Sequence, residues 1–157
     1  MVRNRIAIAV ALTAAALVTA GGPAHAAPTT TTIHQHGAVE TFVDVLPTCT
    51  DNPPRYTITT TSNGVQHQTV FADGRVHETE TQTGTFSAVP KDDASLASYT
   101  GHFTTWDGFN MNGKTVNGTF TFHVHGTGSD GSTLRNHVNG HFNVRPDGTV
   151  HEFFKCR

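Results

Sequence analysis

Formal charge is scarce in this sequence. Only 14% of the residues are Asp, Glu, Lys or Arg, and the Lys and Arg form no run or stripe. That speaks against nucleic acid or an anionic membrane as partner. No stretch repeats apolar residues at a sustained helical period beside capping residues, so little helix is expected. Walker loop, dinucleotide fingerprint, helix-flanked calcium loop and G-x-S-x-G elbow are all missing. The chemistry those motifs announce is therefore not announced here. Only two cysteines occur, Cys49 and Cys156, too far apart in sequence for a C-x-x-C metal or redox motif.

What is present begins with a leader. Arg3 and Arg5 precede an apolar run from Ile6 to Ala20, and Ala24-His25-Ala26 offers small residues for cleavage. Residues 1–26 read as a secretory signal peptide. The apolar run is short for a bilayer span of about 20 residues, so the mature chain is expected to be secreted and extracellular, with no membrane span. Taking the two leader arginines from the 10 Lys and Arg leaves 8 against 12 Asp and Glu, a mature net charge of −4. In an exported chain Cys49 and Cys156 read as a disulfide. Closing a loop of about 100 residues contributes roughly 4–5 kcal/mol in the chain-entropy model.

The mature chain reads as a polar, flexible tail at 27–32 and one all-β domain at 33–157. Period-two alternation with Thr, Val, Tyr and Phe marks strands at 33–46, 55–62, 65–72, 75–89 and 99–106. Asn63-Gly64 and Asp73-Gly74 read as hairpin turns, and Gly84 as a bulge. A connection at 90–98 reads as including one helical turn, and 107–113 reads as a loop. A long hairpin at 117–144 and a last strand at 149–155 bring the total to eight. Short linkers and a disulfide tying first strand to last predict an eight-stranded antiparallel up-and-down β-barrel, with a two-sheet β-sandwich as the alternative.

The 117–144 hairpin carries the clearest pattern. Phe120, Phe122 and Val124 share one face with Leu134, Val138, Phe142 and Val144 of the returning arm. A slip of one residue would oppose apolar to polar, so the turn is expected to be odd, with Gly131 left-handed. Pairing Ser129 with Thr133 then sets Phe120 against Phe142, Val124 against Val138 and His125 against His137.

Ten histidines remain in the mature part. His123, His125 and His137 are the metal candidates, three imidazoles on one hairpin face able to leave a divalent ion an open position. The competing readings are a polar exterior and a pH-responsive surface. Glu78 with Glu80, and Glu40 with Asp44, share strand faces but nothing puts them in a cleft, so they read as solvated. Tyr99, Phe120, Phe122 and Phe142 are the candidate walls of a barrel cavity for a small apolar molecule.

The segment GHFTTWDGFNMNGKTVNGTFTFHVHGTGSDGS, followed by HVNGHFNV, resembles a pattern in small secreted actinobacterial proteins. Their barrel is similar in outline to the allene oxide cyclase and dirigent type. The resemblance implies a barrel fold. No catalytic residue of either type matches a position here, so it implies no reaction. Three functions remain in view. The first is a non-enzymatic binder of a small apolar or amphipathic ligand, needing no cofactor. The second is a histidine-based metal or cyclase-like enzyme, and the third an oligomeric structural or interaction protein.

Overall fold

Long alternation of Thr with apolar residues favours extended backbone, because branched side chains pack well on a pleated surface. In the computed structural model, which describes residues 27–157, that alternation forms seven strands. They are β1 (Thr29–Val45), β2 (Arg55–Val70), β3 (Val76–Pro90), β4 (Tyr99–Asn112), β5 (Thr115–Gly128), β6 (Thr133–Val144) and β7 (Val150–Cys156). They form one antiparallel sheet in sequence order, so the up-and-down order is as expected. The leader lies outside the described residues. β1 starts inside the stretch 27–32: Thr29–Thr32 already pair with Val70–His67.

Eight expected strands become seven because Asn63-Gly64 is not a turn. It lies inside β2, with Gly64 opposite Gln35 on one side and Gln82 on the other. A two-residue hairpin turn of the expected kind needs φ above zero at both central residues, and neither has it. Asn63 does another job. β1 carries a bulge between Gln35 and Ala38, where Gly37 has φ +60°. The Gly37 N–H donates to Asn63 Oδ1 at 3.0 Å, replacing the ladder bond lost at the bulge. Gly84 is no bulge, since its pairing to Ser62 and Phe103 runs unbroken. The expected loop at 107–113 is largely strand, because β4 continues to Asn112 and turns at Gly113 and Lys114. Residues 91–97 form turns without a helix.

The central hairpin has the expected type of turn one residue early. Gly128 N–H donates to Ser132 O at 2.8 Å, Gly131 N–H to Gly128 O at 3.0 Å, and Gly131 has φ +81°. Every partner is thereby shifted by two residues: Phe120 faces Gly140, Phe122 faces Val138 and His123 faces His137. An even shift keeps each side chain on its expected face. The observed register also suits the rings. A Cβ on Gly140 would clash with the Phe120 ring, and one on Gly118 with the Phe142 ring. Each phenyl lies across the glycine of the neighbouring strand, where two opposed phenyls would compete for one space.

A flat sheet of this order would hold its edge strands about 29 Å apart, six steps of roughly 4.8 Å. Yet Cys49, four residues past β1, is bonded to Cys156 at the end of β7, with Cα atoms 5.4 Å apart. The sheet must therefore curl upon itself. Leu46 follows β1 into the resulting interior and is buried with Tyr56, Ile58 and Ala88 from one side. Phe86, Phe103, Val124 and Leu134 complete this core from β3 to β6. Asn136 Nδ2 donates to Pro47 O and pins the same end.

Closure stops there. Six successive antiparallel pairings leave β1 and β7 running in the same direction, and no ladder joins them among the described residues. Eight strands would have brought two antiparallel edges together. With seven, the sheet is a curled half-barrel stapled at one end and parted along the β1/β7 seam. Replacing Cys49 and Cys156 together by alanine is expected to lower stability by about 2–5 kcal/mol, read as a shift in the urea midpoint of the oxidised protein against the variant.

Candidate functional site

Directly paired residues share a face of a sheet, so the register assigns every strand side chain to the inside or the outside. Inside lie Glu40 and Asp44 of β1, Glu78 and Glu80 of β3, Asp107 of β4 and Glu152 of β7. These are all the carboxylates of the seven strands. Outside lie Arg55, Arg135 and Lys155, together with every strand histidine except His36, which sits in the β1 bulge. His36 apart, the sheet sorts its charged side chains by face, carboxylates within and bases without.

The interior is divided along its length. One end is the apolar core next to the disulfide. Beyond it, Glu80 stands directly opposite Asp107, with Gln66 on the other side of Glu80 and Phe120 on the other side of Asp107. Gln68 Nε2 donates to Glu78 Oε2 at 2.8 Å, and Thr105 Oγ1 donates to Asp107 Oδ2 at 3.0 Å. Glu78 is only 7% exposed, which overturns the solvated reading of this pair. Burial pushes the Glu80 carboxyl above its ordinary value, and the negative charges of Asp107, Glu78 and Glu40 push it further. Asp107 is also raised by burial, against the opposing hydrogen bond from Thr105.

The aromatic candidates all point inward but to different ends. Tyr99 and Phe122 pack against the core, Tyr99 with its hydroxyl 3.0 Å from Ser132 Oγ and Phe122 stacked on Phe103 at 6.0 Å. Phe120 lies farther along, 6.3 Å from the ring of Phe154 on the edge strand. Phe142, over Gly118, is beyond it. Phe42 and Phe154, on the inner faces of β1 and β7, are 42% and 48% exposed although they point inward. Ile33, also on the inner face of β1, is 51% exposed.

The histidine candidates are brought together on the outside. His123 and His137 are directly paired, and their rings stack at 3.9 Å with 29° between planes. His125 pairs with His102 on one side and Arg135 on the other. Stacked rings present their nitrogens side by side instead of converging on a point, and His137 Nε2 lies 3.1 Å from Asn139 Oδ1. Among the described residues no set of three or more His, Cys, Asp or Glu is arranged to hold a metal ion. A shallow depression of about 530 Å³ is lined by His102, His123, His125, Arg135 and His137, and by Arg157. A second, of about 440 Å³, shares His102 and His125 and extends over Thr85, Thr100 and Thr127.

No family model, curated protein or solved structure matches this chain. The site must therefore be read from its own chemistry.

Asp107 and Gln68 were not singled out from sequence and Glu80 was read as solvated, though a signal was there. Phe86 and Ala88 share parity with Glu78 and Glu80 on one strand, as Phe103 does with Asp107. If the phenyl groups face the core, the acids do too.

The sign of the pH dependence follows. A carboxyl whose folded pKa is raised adds stability below its unfolded pKa, about 4, and that contribution is lost as pH rises through the folded value. The turn aspartates Asp73, Asp93, Asp130 and Asp147 act oppositely. Each is held low chiefly by hydrogen bonds from the residue two places on, so their contribution is lost as pH falls. Replacing Glu80 by glutamine is expected to raise the melting temperature at pH 7 and leave it nearly unchanged near pH 4. Equal shifts at both values would disprove an inward charged carboxylate.

Proposed function

We propose that this is an exported, non-catalytic binding protein that takes a small amphipathic molecule into its interior through the β1/β7 seam. One observation carries the reading: Ile33, Phe42 and Phe154 point into the interior and yet stay substantially exposed, because among the described residues the edge strands bearing them do not pair with each other. Apolar side chains directed inward and left wet gain from any apolar group that replaces the water, at about 25 cal/mol per Å² covered. Phe120 and Phe142 supply the adjoining wall, and Tyr99 and Phe122 the packed floor behind it. The polar end of the ligand meets Glu80 and Asp107. Two raised carboxyls in a partly desolvated space prefer a partner that donates hydrogen bonds or carries positive charge.

Export is supported by the leader pattern of residues 1–26 and by the disulfide, which persists in oxidising compartments. Among the described residues no helix is long and apolar enough to cross a membrane.

The test is native mass spectrometry of the oxidised protein after incubation with a long-chain amine, a fatty acid and a terpenoid alcohol. One amine per chain is expected to be retained in preference to the fatty acid. Phe154→Asp is expected to weaken retention by about tenfold or more, since it places a charge where an apolar group must be buried. Retention of none of the three, or retention unaffected by Phe154→Asp, would overturn the reading.

A further inference from the structure

We propose that the outer face of β4–β7 is a docking surface for an acidic polysaccharide, and that it is engaged as its histidines take up protons. This site is separate from the seam: it lies on the other side of the sheet, and its histidines and strand bases face away from the interior. The groups come in rows across the strands. His102 of β4 aligns with His125 of β5 and Arg135 of β6. In the next row Thr104, His123 and His137 align, and Arg157 closes that row by exchanging both backbone hydrogen bonds with His137. Two further rows end on β7 with Lys155 and Phe153, the latter beside His141, and His151 lies beyond them.

No strand carboxylate opposes these bases. On the flank toward β3 their neighbours are Thr81, Thr83 and Thr85. Asp130 and Asp147, at hairpin ends, each accept a hydrogen bond within their own turn, and Asp147 also lies close enough to His151 for their charges to interact. At neutral pH the face is positive through Arg135, Lys155 and Arg157. Imidazoles in general gain a proton across the range from about pH 8 to pH 5, and six of them stand here. The stacked pair His123 and His137, with ring centroids 3.9 Å apart, cannot carry two protons without repulsion. An anion held beside both rings relieves it, so binding and proton uptake reinforce each other.

Shape and surroundings select the partner. Both shallow depressions include His102 and His125, and together they make up the trough. Trp106 and Phe153 are exposed on the same side and offer flat apolar platforms to the C–H faces of sugar rings. Around them stand Thr104, Thr119, Thr121 and Asn139, which exchange hydrogen bonds with hydroxyls. A membrane surface would ask for a continuous apolar side to sink into the acyl boundary, and two aromatics set among threonines do not form one. Uronate or sulfate groups on a sugar chain meet every feature of the trough.

The test measures affinity of the oxidised protein for heparin and for polygalacturonate at low salt, with vesicles of phosphatidylcholine and phosphatidylglycerol in parallel. Affinity for at least one polysaccharide is expected to rise about tenfold between pH 7.5 and 5.5, with net proton uptake in calorimetry across buffers. The double variant His123→Gln/His137→Gln is expected to lose most of that gain while keeping its melting temperature. Lys91→Gln/Lys114→Gln, which removes bases away from this face, is expected to bind as the parent does. The proposal fails if affinity does not change with pH, or if the two double variants weaken binding equally. It also fails if the vesicles hold the protein as tightly as the polysaccharides do, which would make the face a membrane site.

Discussion

One covalent bond decides the shape of this molecule. Seven antiparallel strands in sequence order would, if flat, present two distant edges and one weakly covered apolar face. The bond between Cys49 and Cys156 joins the two ends that sequence order places farthest apart across the sheet. Curling is then obligatory, and with it an inside. The apolar residues collect at the stapled end, where Leu46 is drawn over Phe103, Val124 and Leu134. Glycines let the curl happen at close quarters, since the Phe120 and Phe142 rings lie across Gly140 and Gly118 in place of stacking outward. Away from the staple nothing forces the edges together, and the seam opens.

How far the sequence foretold this depends on the kind of signal. Face assignment was legible wherever a strand mixes apolar and polar residues with period two. That is why the inward set Phe120, Phe122, Val124 and the outward set His123, His125, His137 are placed as the alternation required. Partner assignment was less so. A shift of two residues preserves every face, and only the fit of Phe120 over Gly140 selects the observed register. Asn63-Gly64 carries the strongest local turn signal in the chain, yet it is extended because the bulge at Gly37 needs the Asn63 amide oxygen. That requirement comes from β1, about 26 residues away, and no local window contains it.

Glu78 and Glu80 were misjudged for a related reason. In β3 the row Glu78, Glu80, Gln82 is polar and the same row continues as Phe86 and Ala88. Polar residues at one end of an inward row look like a solvated face if that end is weighed alone. Curling makes the difference: it turns the whole row toward an interior whose far half is polar. Within that interior Glu80 and Asp107 are held above the ordinary carboxyl value by burial.

An odd number of strands links these features. Parity sets the edges of the sheet parallel, and a parallel seam between β1 and β7 cannot be joined by a simple hairpin continuation of either strand. Unpaired edges are ordinarily a hazard, because they invite other strands to add. Here the edges lie on either side of an interior, and the side chains next to them include Phe42, Phe154 and Ile33. A ligand at the seam would cover that surface without closing the barrel, whereas an eighth strand would cover it permanently and remove the way in. Stability argues for closure, and under the proposed function access argues against it. Stapling one end by a disulfide reconciles the two, since it holds the curl without needing the seam to pair.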